Sequence, residues 1–152
     1  MPSRCSSPAW KRPSARLSDS VLLESMNKNP KVVYIAGPFR GPDHFAIHRN
    51  IVEAEALAWR VWAKLSKWRL GSCALCPHLN TAHFQNSLPD NVWLEGDLVL
   101  ISRCDAVVLV EGWEKSSGTM VEYKYAKEHD IPVMAEEELD EWMAKCDATE
   151  SA

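Results

Sequence analysis

Apolar positions along this chain fall into two arrangements, short unbroken runs and a stripe at helical spacing, and the two alternate from residue 31 onward. Lys31 to Gly37 (KVVYIAG) is a short β-branched run stopped by Gly37-Pro38, and it predicts a first strand. Residues 43 to 67 place Ile47, Ile51, Ala54, Ala58, Val61 and Leu65 at spacings of four and three, the buried stripe of a long helix. Gly71 ends that helix, and Ser72 to Cys76 reads as a second strand. A long polar loop is expected from Pro77 to Pro89, with Asp90 capping a helix over Asn91 to Arg103 that is buried through Leu94, Leu98 and Ile101. Asp105 opens a third strand. Its Val107, Val108, Leu109 and Val110 show no polar alternation, which suits a parallel strand covered on both faces. Glu111-Gly112-Trp113 ends it, and Ser116 or Ser117 is placed to cap the following helix. Ile131 to Ala135 is a fourth short strand, and Glu136 to Lys145 an acidic amphipathic helix that closes the domain.

Strands alternating with helices predict an α/β fold: a doubly wound, Rossmann- or flavodoxin-like parallel sheet of four to five strands with helices on both faces. Ligands of such sheets bind outside the carboxyl ends of the strands. The loops after the first, second and third strands would converge there.

Composition changes this picture at the ends. The first 20 residues are rich in Ser, Arg and Pro and nearly free of acid, which predicts a disordered leader over 1–30 ahead of a domain over 31–146 and a flexible tail over 147–152. The Arg/Ser bias is also that of an organelle transit peptide, and Met26 is a candidate natural start. A net charge of −4 argues against nucleic acid or an anionic membrane as the main partner. No apolar run reaches the length of a membrane span. The cysteines, five and scattered, point to a reducing, cytoplasmic setting.

The candidate chemistry lies in the loops. Gly37-Pro38-Phe39-Arg40-Gly41-Pro42 combines glycines that let backbone N–H groups approach a ligand with an arginine that can pair with phosphate, although a rigid connector would read the same way. It matches neither the dinucleotide fingerprint nor the P-loop. Arg49 and Asn50, early in the long helix, could reach the same cleft or lie on the plain surface. The 77–89 loop carries His78, Asn80, Thr81, His83, Gln85 and Asn86 and reads as a substrate-specificity loop. Cys73-x-x-Cys76 near His78 and His83 raises zinc, but the spacing argues against it, so no metal is expected. Trp59, Trp62 and Trp68 suit packing or a partner surface.

Ser116-Ser117-Gly118-Thr119 opens a helix whose free N–H groups and dipole form a ready anion site. Helical side chains lean toward the N-terminus, so Glu122 stands over Thr119 and Gly118. Gly118 leaves open space there. A carboxylate over open space beside an anion site is a candidate nucleophile, and a solvated helix acid is the plainer alternative. Asp97 lies at the edge of its helix's apolar face, where a carboxylate is costly without a partner or a task. An exposed helix acid remains the alternative.

With YIAGPFRG early, GDLVLISRCDAVVLV after it and SSGTMVEYKYA next, residues 31 to 135 resemble the nucleoside 2-deoxyribosyltransferase-like superfamily, most closely its unassigned phage and bacterial branch. The group also holds transferases and nucleotide N-glycoside hydrolases. The resemblance implies that Glu122 is the catalytic glutamate, Asp97 the acid beside the base and anomeric centre, and Tyr34 the strand tyrosine that orients the nucleophile. It places a structural acid at Asp105 and, at Ser116, the phosphate-binding serine of the monophosphate hydrolases. Gly37, Pro38, Phe39, Arg40, His78, Asn80, Trp113, Ser116, Ser117 and Gly118 are the expected substrate-binding residues. Met120 departs from the pattern, standing where several members have a second glycine and bringing bulk toward the sugar pocket.

The implied reaction breaks the N-glycosidic bond of a nucleoside or nucleoside 5′-monophosphate, with hydrolysis favoured over transfer of the sugar to a second base. A non-catalytic nucleotide-binding module is the reading from another class. No cofactor is needed, and a homodimer or higher homo-oligomer is expected. The helix dipole is expected to keep Glu122 ionised.

Overall fold

The computed structural model describes Ser20, residues 29–84 and residues 86–151. The expected leader and the candidate start at Met26 lie outside the described residues, apart from Ser20, Asn29 and Pro30. The chain runs through β1 (Val32–Ala36), α1 (His44–Trp68), β2 (Cys73–Leu75), α2 (Pro77–Thr81), α3 (Asp90–Ile101), β3 (Ala106–Leu109), α4 (Ser117–Glu128), β4 (Val133–Met134) and α5 (Leu139–Glu150). Single 3₁₀ turns precede α4, at Trp113–Lys115, and α5, at Glu136–Glu138.

All strand pairs are parallel, in the order β2-β1-β3-β4. The alternation of side chains along each strand builds two cores. Val33, Ile35, Ala106, Val108 and Val110 face α1 and, through Leu139 and Met143, α5. Tyr34, Ala36 and Val107 face Ile101 of α3 and Ala126 of α4. The uniformly apolar runs therefore mark strands buried on both sides, and the doubly wound parallel sheet is the observed fold. The chain leaves β1 toward β2 and later crosses to the other side to form β3. The β1/β3 boundary is thus the switch point at whose carboxyl edge a crevice opens. Gly37 lies on that boundary. A Cβ there would stand 2.5 Å from Cγ2 of Val110, so only glycine lets the end of β1 lie against the chain leaving β3.

The expected boundaries needed four changes. The 77–89 loop begins with a helix, α2, because Pro77 sits in the first turn, where no backbone N–H is required. Asp90 is not a cap: Pro89 takes the cap position, and Asp90, inside the first turn, is ion-paired to Arg40 at 3.1 Å. Leu57 joins the buried stripe of α1, whereas Ile47 and Ile51 are half-buried. Finally, α5 passes Lys145 and reaches Glu150, so residues 147–150 are not a loose tail. Their anchor is Arg69, 3% exposed, which binds Asp147 at 2.6 Å and Glu150 at 2.8 Å. A buried guanidinium needs such partners. Among the described residues, no helix is long and apolar enough to cross a membrane.

Candidate active site

Above the β1/β3 switch point lies a cleft of about 690 Å³, within the range of small-molecule sites. One wall is the loop between β1 and α1. Facing it are the first turn of α4 and the inner side of α3.

Two carboxyl groups line this cleft. Glu122, on α4, is 5% exposed and lines the cleft, as does Gly118 one helical turn before it. A Cβ added at Gly118 would meet nothing closer than Ser116 Oγ at 3.9 Å, so the space beside its backbone is open. Asp97, on α3, is half-buried and lines the same cleft. Met120 is not part of the lining, so its bulk does not narrow the pocket. From the sheet beneath, the hydroxyl of fully buried Tyr34 donates to Glu122 Oε1 at 2.7 Å. Strand alternation sends Tyr34 toward the α3/α4 face, and helical lean brings Glu122 down to meet it.

Burial governs the charge of these two acids. Glu122 is pushed up from its ordinary 4.5 to about 8, first by desolvation; Tyr34's hydrogen bond opposes this, and the Asp97 charge adds to it. The expectation of an ionised glutamate is thereby corrected: removal of the carboxylate from water favours its neutral form. Desolvation also raises Asp97, to about 6. Tyr34 is raised strongly, by burial and then by the neighbouring Glu122 charge, so it remains a hydrogen-bond donor. Both acids are thus raised, so near neutral pH Asp97 is the more readily ionised of the two.

The first turn of α4 supplies donors beside the pair. Ser116 is its cap, Oγ accepting from Thr119 N–H at 3.2 Å. This leaves the N–H groups of Ser117 and Gly118 at the positive end of a 12-residue helix. Thr119 is 1% exposed, and its hydroxyl has no partner among the described residues although it lines the cleft.

The other expected binding residues divide. Gly37, Pro38, Phe39, Arg40, His78, Ser116, Ser117 and Gly118 line the cleft. Arg40 is engaged with Asp90 across the cleft mouth. Asn80 and Trp113 lie outside the lining. Asn80 is on the exposed side of α2, and Trp113 stacks on Tyr123 at 4.7 Å, which turns its ring to α4. Asp105 is structural, its carboxylate accepting from Val32 N–H at 2.8 Å.

A family model described as a domain of unknown function, DUF4406, matches residues 31–135. The chain belongs to the DUF4406 family. No curated protein matches it. The DUF4406 match runs from the start of β1 to just beyond β4, and the carboxyl pair, Tyr34 and the donor turn of α4 all lie within it.

Sequence reasoning missed two aromatic residues of this DUF4406 domain. Phe84 and Trp93 stack at 6.0 Å between ring centroids and line the cleft. The sequence offered a hint in Trp93, on α3 one helical turn before Asp97. Gly118→Ala is expected to raise stability by about 0.5–1 kcal/mol, since glycine is a poor helix residue and the added methyl meets no clash. Chemical denaturation checks this, and the same methyl fills the open space beside that backbone.

Proposed function

We propose that this protein hydrolyses the N-glycosidic bond of nucleoside 5′-monophosphates. The observation that carries the reading is the buried Tyr34–Glu122 hydrogen bond beneath a cleft that Asp97 also lines, with open space beside the backbone of Gly118. The reacting form is the minor one in which Glu122 has given up its proton and Asp97 holds one; in it Glu122 attacks the anomeric carbon as the bond to the base breaks. Asp97 gives its proton to the departing base. Water then cleaves the glycosyl ester, with the proton passing back to the carboxyl pair. The turn Ser116 to Thr119 is neutral and rich in donors, which suits a phosphate. Phe84 and Trp93 offer a stacking surface for the base.

Incubation with a panel of ribo- and deoxyribonucleoside 5′-monophosphates, following base release, tests this. Release from none of them would overturn it. Adding an acceptor base separates hydrolysis from transfer, because only a transferase makes the second nucleoside.

Tyr34→Phe is expected to lower kcat/KM at pH 7 by roughly 10- to 100-fold. It removes the one contact that favours ionised Glu122, so the profile of kcat/KM against pH should also move upward. A profile that stays in place would show that Tyr34 serves packing alone.

Self-association is part of the same proposal. Phe45, Val52 and Trp59 recur at seven-residue intervals on α1 and are exposed, with Trp62 beside them, which suits a second copy. The free thiols of Cys73, Cys76, Cys104 and Cys146 suit a reducing, cytoplasmic setting.

A further inference from the structure

The loop between β1 and α1 is held in an unusual way. His78 Nε2 stands 3.1 Å from the carbonyl oxygen of Gly37 and 3.0 Å from that of Pro38. Asn50 Nδ2 donates to the carbonyls of Phe39, at 3.2 Å, and Arg40, at 2.9 Å. Two side chains from different helices thus fasten four consecutive carbonyls. Both neighbours of Nε2 are acceptors, so that nitrogen carries the proton. Nδ1 is buried without a partner among the described residues, and burial holds the imidazole's pKa below its ordinary value.

A peptide plane points its N–H opposite to its carbonyl. With the carbonyls of Pro38, Phe39 and Arg40 turned to His78 and Asn50, the N–H groups of Phe39, Arg40 and Gly41 point away from them. None of the three has an acceptor among the described residues. All three residues belong to the cleft wall.

We propose that His78 and Asn50 are positioning residues that hold this loop as an oxyanion cradle, in which the N–H groups of Phe39, Arg40 and Gly41 bind phosphate oxygens. Successive free amides in a fixed loop form an anion-binding concavity without any charged side chain. The proposal rests on the nucleotide reading above. It reassigns His78 from direct substrate contact to control of the loop, and it explains why Arg40 can remain paired with Asp90.

The variants follow from side-chain reach. The amide nitrogen of glutamine falls near His Nε2, whereas that of asparagine falls near Nδ1 and stops short of the loop. Backbone amide NMR with inorganic phosphate as the probe, and KM for a cleaved 5′-monophosphate, should be measured on wild type, His78→Gln, His78→Asn and Asn50→Leu. The amide signals of Phe39, Arg40 and Gly41 should respond to phosphate in wild type and His78→Gln and fail to respond in the other two. KM should rise about tenfold in His78→Asn and Asn50→Leu, with kcat within about threefold of wild type. Glutamine rescue distinguishes the donor role from mere filling of space. Equal amide responses in all four proteins, or His78→Gln as impaired as His78→Asn, would overturn the proposal. Cleavage of nucleotides with no response at the three amides would overturn the cradle and leave the activity standing. A His78-dependent response to phosphate without cleavage of any nucleotide would support the cradle and remove the activity.

Discussion

Glu122→Gln is expected to lower kcat for base release at least about a thousandfold, with KM little changed. Glutamine keeps the shape of the side chain and can still accept the Tyr34 hydrogen bond, so the cleft should stay intact. What it cannot do is form the glycosyl ester. The pH profile gives a second view of the same group. Burial holds Asp97 at about 6 and Glu122 at about 8, so between these values the dominant form carries the proton on Glu122, and the productive form, with Glu122 ionised and Asp97 protonated, is a minor fraction that rises and falls over the same range. Below the lower value both acids are protonated and no nucleophile exists. Above the upper one both are ionised, and no proton is available for the base. Activity should therefore trace a bell whose limbs fall near these values. Near-wild-type turnover in Glu122→Gln, measured by release of base from the preferred monophosphate, would place the nucleophile elsewhere.

Legibility in the sequence followed the range of the interaction that fixes each feature. The run Val107, Val108, Leu109, Val110 announced a strand with two covered faces because strand alternation is local. The Ser116 cap and the placement of Glu122 one turn beyond Gly118 followed from helix geometry, equally local. Asp97 stood out because a carboxylate beside Leu94 and Leu98 on a helix needs a reason. What the local pattern left unread depends on other elements. Trp113 reads as a cleft residue in its loop, but Tyr123, on the following helix, supplies a ring to stack upon. His78 reads as a ligand group, but its partners are backbone carbonyls 40 and 41 residues away, which no spacing rule reveals. The ionisation of Glu122 is the sharpest case. Its dipole environment is written in four neighbouring residues, whereas its burial comes with the folded chain and its hydrogen-bond partner is a tyrosine 88 positions earlier.

Glu122→Gln is also expected to make the protein more stable at pH 8 than wild type, and the gain should vanish near pH 4. The reasoning needs no substrate. Folding raises the carboxyl from 4.5 to about 8, so the folded chain holds its proton more tightly than the unfolded one. At pH below 4.5 both states are protonated and no difference arises. Between 4.5 and about 8 the unfolded chain has released the proton while the folded chain keeps it. Wild-type stability then falls by about 1.4 kcal/mol for each pH unit, and the loss is complete once the folded carboxyl ionises. Glutamine has no proton to lose and escapes this slope. Asp97, raised to about 6, contributes a smaller loss of the same sign in both proteins. Urea denaturation of wild type and variant at pH 4 and pH 8 measures the difference, which should open by a few kcal/mol on the alkaline side. A gap that is equal at both values would mean that Glu122 is solvated in the folded protein. A carboxyl kept in a dry site at this cost, where an amide would fold better, is the mark of a group retained for its chemistry.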